Sequence, residues 1–217
     1  MDLSVVWRNL PYLAEGFAVT LETSALVILG GTALGLLLGI VRSGRVASLR
    51  HAAWLYIELI RGTPLLVVLF IVYFAVPPLI GHRFTAYEAA VIGFIAFIGA
   101  YIAEDVRSGL ASVPRGQVEA GLANGLSPRQ VLWLVVLPQA VRRMIPALFN
   151  QFVRLVKFTS VASAIGVTEL TGATLAVNAR EFKPLPLLIA LALAYFVAGY
   201  GLSLLGRWLN RRYAIAG

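Results

Sequence analysis

There is no cysteine anywhere in the 217 residues, which excludes a disulfide, a thiolate nucleophile and a cysteine metal site. Histidine is nearly missing too: His51 and His82 stand far apart and are expected in loops, so no metal site is expected. Charged residues make up only 13% of the chain, against 59% hydrophobic ones. A soluble domain carries about 25% charge, so this composition is that of an integral membrane protein. No Gly-x-x-x-x-Gly-Lys-Ser/Thr stretch occurs, so the chain has no recognisable means of binding ATP by itself. Serines are plentiful, but neither histidine lies where it could serve one as a base; no catalytic residue is expected. Met1 to Gly16 carries Asp2 and Glu15 and lacks a basic start before an apolar core, so no cleaved signal peptide is expected. The net charge of +8 is scattered between apolar runs and not gathered on a polar domain, so it reads as a set of topology determinants and not as a nucleic-acid surface.

What is present is a series of apolar runs long enough to cross a bilayer, for which about 20 residues suffice. Five spans are predicted, at approximately 17–41, 52–76, 87–110, 144–167 and 185–206, in one transmembrane domain covering 1–217. In the first, Gly30, Gly31, Gly35 and Gly39 recur at or near four-residue spacing, the mark of a close-packing helix face in lipid. The second contains Glu58 and Arg61, three apart on one face and able to pair, followed by Gly62-Thr63-Pro64. Pro77 and Pro78 are assigned to a short outer loop, and Thr168 to Pro184 to an external loop with room for a short surface helix. Asn150, Gln151, Arg154 and Lys157 interrupt the fourth span and are expected to face a partner helix or a water-filled path, because polar groups at membrane depth are costly towards lipid. Arg42, Arg45, Arg50, Arg115, Arg129, Arg142, Arg143, Arg207, Arg211 and Arg212 fall in loops on one side, against Arg8, Arg83, Arg180 and Lys183 on the other. By the positive-inside rule the N-terminus is outside and the C-terminus cytoplasmic. Trp54, Trp208 and Tyr213 near span ends are expected to act as interfacial anchors.

Between the third and fourth spans, at approximately 112–138, lies the least membrane-like stretch. Pro114 opens a short helix, Gly125 closes it in the left-handed conformation, Ser127 and Pro128 start a second, and Pro138 ends or kinks that one. Glu119-Ala120-Gly121, three residues, Gly125, nine residues, then Val135-x-Leu137-Pro138 resembles the EAA loop of the permease subunits of ATP-binding-cassette importers. Gly121 stands for the second Ala of that pattern and Val135 for Ile. Further stretches are similar to the permeases of polar amino acid importers, the histidine, glutamine, glutamate, arginine and opine group. They are Tyr56 to Leu65 with its Glu58-x-x-Arg61-Gly62-Thr63-Pro64-Leu65 core, Tyr101-Ile102-Ala103-Glu104, Leu137-Pro138-Gln139-Ala140, Asn150-Gln151-Phe152, Lys157 with Thr159-Ser160, and Ile165-Gly166-Val167 with Glu169-Leu170.

The resemblance implies the all-α type I ABC importer permease fold in the bacterial inner membrane, with cytoplasmic coupling helices between spans three and four. It implies a second permease subunit, same or homologous; a dimer of ATP-binding subunits that holds ATP and Mg, no cofactor being expected in this chain; and a periplasmic or lipid-anchored solute-binding protein. Glu119, Ala120, Gly121, Gly125, Leu137 and Pro138 are then the ATPase-coupling residues, and Glu58, Asn150, Lys157, Thr159 and Ser160 the candidate substrate pathway. Many relatives place Asp between the Lys and the Thr-Ser, where this chain has Phe158. Strict arginine or lysine specificity is therefore not expected, or else this subunit is the member of a heterodimer that does not hold substrate. Two readings of other classes are a secondary transporter or channel working without ATP, and a membrane anchor or assembly factor. The first lacks an inverted repeat and the second has no need of intramembrane Glu58, Arg61, Arg154 and Lys157.

Overall fold

The computed structural model describes residues 3–44 and 46–213. Arg45 and Asp2 lie outside the described residues, as does the side chain of Tyr213. All regular elements among the described residues are helical: α1 (Ser4–Arg8), α2 (Leu10–Ser43), α3 (Ala47–Gly62), α4 (Leu65–Ile80), α5 (Ala86–Ala111), α6 (Arg115–Ala123), α7 (Pro128–Ile165), α8 (Leu170–Glu181) and α9 (Pro184–Tyr213). Four of them, α2, α5, α7 and α9, are each long and apolar enough to cross a membrane, and α3 with α4 makes a fifth span only if the bent pair is counted as one.

The bend corrects the expectation of one continuous helix over 52–76. α3 and α4 meet at 111°. The cause is local: Pro64 cannot donate an N–H, and its ring forces the preceding residue out of the helical region, so Thr63 is extended at φ −101°, ψ 135°. His51, expected in a loop, lies in the first turns of α3. Span one begins seven residues earlier than expected, at Leu10, where Pro11 fits a position whose N–H has no helical acceptor.

Three other prolines behave differently from their sequence reading. Pro77 and Pro78 are helical and not in a loop, and Pro138 neither ends nor breaks its helix, which runs from Pro128 to Ile165. In both places one wide π turn, Ile71–Ala75 or Leu132–Val136, immediately precedes the proline segment. Widening the turn removes the demand for the missing N–H and keeps the ring off the carbonyl four residues back, so the axis continues.

The core is centred on α5, where Phe94, Ile98 and Ile102 are fully buried. Lipid is as apolar as these side chains, so what holds helix to helix is fit. A β-carbon on Gly30, Gly31, Gly35 or Gly39 of α2 would lie 2.6, 3.2, 2.5 or 2.7 Å from Ile95, Ile98, Ile102 or Val106 of α5 respectively. Four glycines thus accept four branched side chains, as their spacing predicted. α2 and α5 run parallel, α7 and α9 antiparallel: Gly199 sits by Lys157 and Gly206 by Phe149. The molecule consequently has two ends. One carries Arg42, the C-terminal turns of α5, and α6; the other carries α1, α8 and the start of α9, where Val5 packs with Leu187 and Arg8 pairs with Glu181 at 3.3 Å.

Candidate functional site

At the first end, α6 and the start of α7 form a helix–turn–helix. Gly125 sits at φ +80°, with the Leu126 N–H donating to the Gly121 carbonyl (3.2 Å) and the Gly125 N–H to that of Leu122 (3.0 Å). This paired closure needs a left-handed residue, which glycine supplies without cost. Ser127 and Gln130 cap the next helix reciprocally: the Gln130 N–H donates to Ser127 Oγ (3.3 Å) and the Ser127 N–H to Gln130 Oε1 (2.8 Å). Gly121 is buried, and a β-carbon there would be 3.0 Å from Val131 Cγ2. The close approach of α6 to α7 therefore explains why glycine stands where the EAA pattern has alanine. Gln139 donates to Gln117 (3.3 Å), and Arg143 donates to the Ser112 carbonyl, so the element is tied to the helices on both sides. Glu119, Ala120, Gly125 and Pro138 remain exposed, and Leu137 is half-buried.

Beside it lies a cluster of charge only partly visible in the sequence. Glu104 of α5 accepts from Arg42 of α2 (2.5 Å) and from Arg107 (2.5 and 3.0 Å), and lies 3.9 Å from Arg61. Glu58 approaches Arg42 (3.8 Å) and Arg61 (3.9 Å), so the Glu58–Arg61 pair exists but is looser than the bonds around Glu104. Spacing revealed Glu58–Arg61 and could have revealed Glu104–Arg107, both three apart. Arg42 was legible only as a topology charge, because its partner is 62 residues away. Tyr101 extends the cluster: the guanidinium groups of Arg61 and Arg154 lie 5.5 and 5.7 Å from its ring centre. Gln151, 7% exposed, donates to Asp105 (2.9 Å).

The residues predicted to line a substrate path do not form one group. Glu58 belongs to the charged cluster. Asn150 lines a cleft of about 140 Å³ with Ser203, Arg207 and Asn210 of α9, and Lys157 also lies against α9, near Gly199. Thr159 is fully buried and its hydroxyl donates to the Val156 carbonyl (2.7 Å); Ser160 bonds the Lys157 carbonyl in the same way (2.7 Å). Both hydroxyls sit in the tightened last turns of α7, Thr159–Ile165. Phe158 packs edge-on against Phe97 at 6.0 Å, so the apolar replacement has an apolar partner.

At the other end, Glu169 was expected in an external loop but is 1% exposed. It caps α8, accepting from the N–H groups of Thr171 and Gly172 (2.9 Å each), and accepts from Tyr195 (2.7 Å) and Thr20 (3.5 Å). A buried carboxylate is tolerable when donors surround it, and here they come from three helices. Only Tyr195 and Thr20, remote in sequence, distinguish it from a loop acid.

Residues 31–215 match the model of the family described as "Binding-protein-dependent transport system inner membrane component". The chain is 41% identical, over 217 residues covering 99% of it and 98% of the relative, to the "Glutamine transport system permease protein GlnP" of Escherichia coli (strain K12). It is 37% identical over 203 residues, 93% of the chain and 86% of the relative, to the "L-cystine transport system permease protein TcyB" of Bacillus subtilis (strain 168). Its fold superposes with a TM-score of 0.93 and 30% identity, covering 98% of this chain and 99% of the other, on a structure described as "Crystal structure of an amino acid ABC transporter with histidines". The methionine ABC transporter MetNI shares the fold at a TM-score of 0.74 and 20% identity. A helical bundle with four to five apolar spans and these relatives make the chain a multi-pass member of the binding-protein-dependent transport system inner membrane component family.

Proposed function

We propose that this chain is the membrane-spanning subunit of an ATP-driven importer that carries a polar amino acid across the bacterial inner membrane by alternating access. The observation that carries the reading is the exposed helix–turn–helix of α6 and α7, closed by Gly125 and presenting Glu119 and Ala120 on the basic end of the bundle. Glu119, Ala120, Gly121, Gly125, Leu137 and Pro138 dock on a partner ATPase, which holds ATP and Mg. The basic end is cytoplasmic, as the arginine distribution favours, so the N-terminus is outside. A solute-binding protein delivers substrate to the end that carries α8, and a second permease subunit completes the pore. Glu58, with Arg61 and Glu104 behind it, receives an ammonium or guanidinium group of the solute, while Asn150, Lys157, Thr159 and Ser160 shape the path along α7. The relatives named for glutamine and cystine transport support an amino acid with a polar side chain.

The test is co-expression with the ATPase encoded beside it, reconstitution into liposomes, and measurement of ATP hydrolysis with and without the binding protein across a panel of amino acids. Stimulation confined to one class of amino acid is expected. Failure to co-purify with any ATPase would sink the proposal in favour of a carrier that works without ATP.

A further inference from the structure

At the basic end, between the C-terminal turns of α2 and α5 and the first turns of α3, is a cleft of about 360 Å³ lined by Arg42, Arg50, His51, Trp54 and Arg107. No carboxylate among the described residues lines it. Arg42 and Arg107 share Glu104, whereas Arg50 has no ion-pair partner among the described residues. Around the cleft four arginines, Arg42, Arg50, Arg61 and Arg107, face two carboxylates, Glu58 and Glu104, which leaves a surplus of positive charge.

The start of α3 adds to that surplus. Its N-cap, Val46, offers no side-chain acceptor, and the first turn holds no acidic residue. A helix start carries partial positive charge and ordinarily attracts an acid, yet here the first charged or titratable residues are Arg50 and His51, fourth and fifth in the helix. His51 Nδ1 bonds the Ala47 carbonyl (2.8 Å), which leaves Nε2 without a protein partner among the described residues. The positive charge at this helix start is therefore that of Arg50, which has no carboxylate partner among the described residues.

We propose that this cleft binds the phosphate of an anionic membrane lipid headgroup. What selects a lipid over an acidic protein surface is the flank. Along α3 beside the cleft, Leu49, Leu55 and Leu59 are 55%, 51% and 60% exposed, offering a track for acyl chains, and Trp54, 47% exposed, has the amphipathic ring that favours the headgroup level. Basic recesses between spans at the cytoplasmic side suit such headgroups, each nearby cation contributing about fivefold in affinity. The site is independent of which solute is carried.

The test uses the full chain in detergent micelles, titrated with phosphatidylglycerol or phosphatidylcholine and read by native mass spectrometry and by melting temperature. Phosphatidylglycerol is expected to bind and raise the melting temperature where phosphatidylcholine does not. Arg50→Gln together with His51→Gln, which breaks no ion pair, should weaken phosphatidylglycerol about tenfold or more, and Arg50→Lys should restore most of it. Equal binding of the two lipids, or indifference to the double substitution, overturns the proposal. So does protection by inorganic phosphate as strong as that by phosphatidylglycerol, which would make this a site for soluble anions. Loss of ATPase co-purification in the double variant with unchanged lipid binding would instead assign the cleft to the partner protein and equally overturn it.

Discussion

Gly125 offers the most direct test of the docking turn, because the structure separates backbone strain from packing there. Its φ of +80° lies in the left-handed region, and a β-carbon added to it would meet nothing within 4 Å. Within this chain, any effect of substitution is therefore conformational. A non-glycine residue in that region costs about 1–2 kcal/mol, least for asparagine and most for a β-branched residue. A shift of that size changes the population of the closed turn by a factor of about 5–30. The closure holds the Leu126 N–H on the Gly121 carbonyl, so losing it releases α6 from α7 at the surface proposed to meet the ATPase. Gly125→Asn, Gly125→Ala and Gly125→Val should lower binding-protein-stimulated uptake in that order, while insertion and melting of the bundle change little. Uptake and ATP hydrolysis measured in the same proteoliposomes would show hydrolysis surviving where uptake fails. Normal uptake by Gly125→Val, or equal loss in Asn and Val variants, would refute the reasoning.

Glu58→Gln should reduce uptake more than it reduces assembly with the ATPase; unchanged uptake would leave Glu58 as a structural partner of Arg42 and Arg61 only. Gly35→Ala places a methyl 2.5 Å from Ile102 and 2.9 Å from the Gly99 carbonyl, and should cost about 1–3 kcal/mol in a denaturation assay. Gly201→Ala, with open space around it, should be neutral or gain up to about 1 kcal/mol; equal effects at the two sites would contradict the glycine seam. Phe158→Asp trades the Phe97 contact for a carboxylate and should raise uptake of cationic over neutral amino acids about tenfold, the worth of a 1.4 kcal/mol interaction. No change in that ratio would remove position 158 from the path.

The parts of this molecule legible in its sequence are those governed by neighbours along the chain. The spacing of the α2 glycines, the Gly125 closure, the Ser127 cap and the Glu58–Arg61 pair are each patterns written within about three turns of chain, and each appears as expected. Each apolar run falls on a helix, but hydropathy missed the break in the second, because the 111° bend at Pro64 leaves the composition of α3 and α4 untouched, and the start of the fourth helix, which lies at Pro128 and not near 144. Pro138 misled in the opposite direction: the rule that proline interrupts a helix omits the π turn, which depends on the whole segment and has no residue signature. Glu104 with Arg42, and Glu169 with Tyr195 and Thr20, were illegible as sites because helix packing brings the partners together.

These deviations from plain helix are distributed unevenly. α2 and α5 are continuous and locked by the glycine seam, and α2 is tied at both ends: Thr20 accepts from the Leu170 N–H (3.1 Å), and about 33 Å along the axis Arg42 binds Glu104. Such a pair moves as one body, since separating it means unpacking every glycine contact together. The bend, both π turns and the tightened turns at Thr159–Ile165 all lie elsewhere, in α4, α7 and the α3–α4 joint. Between the Gly125 turn and Thr159–Ile165, however, α7 continues as one helix from Pro128, its π turn absorbing Pro138, and the one other interior position without an N–H donor is Pro146. A displacement applied at the turn therefore reaches the far segment along one helix, with Pro146 as the single point where that helix can flex. For the proposed importer, that continuity makes α7 the element that carries ATPase motion into the membrane, with the α2–α5 pair as the frame it moves against.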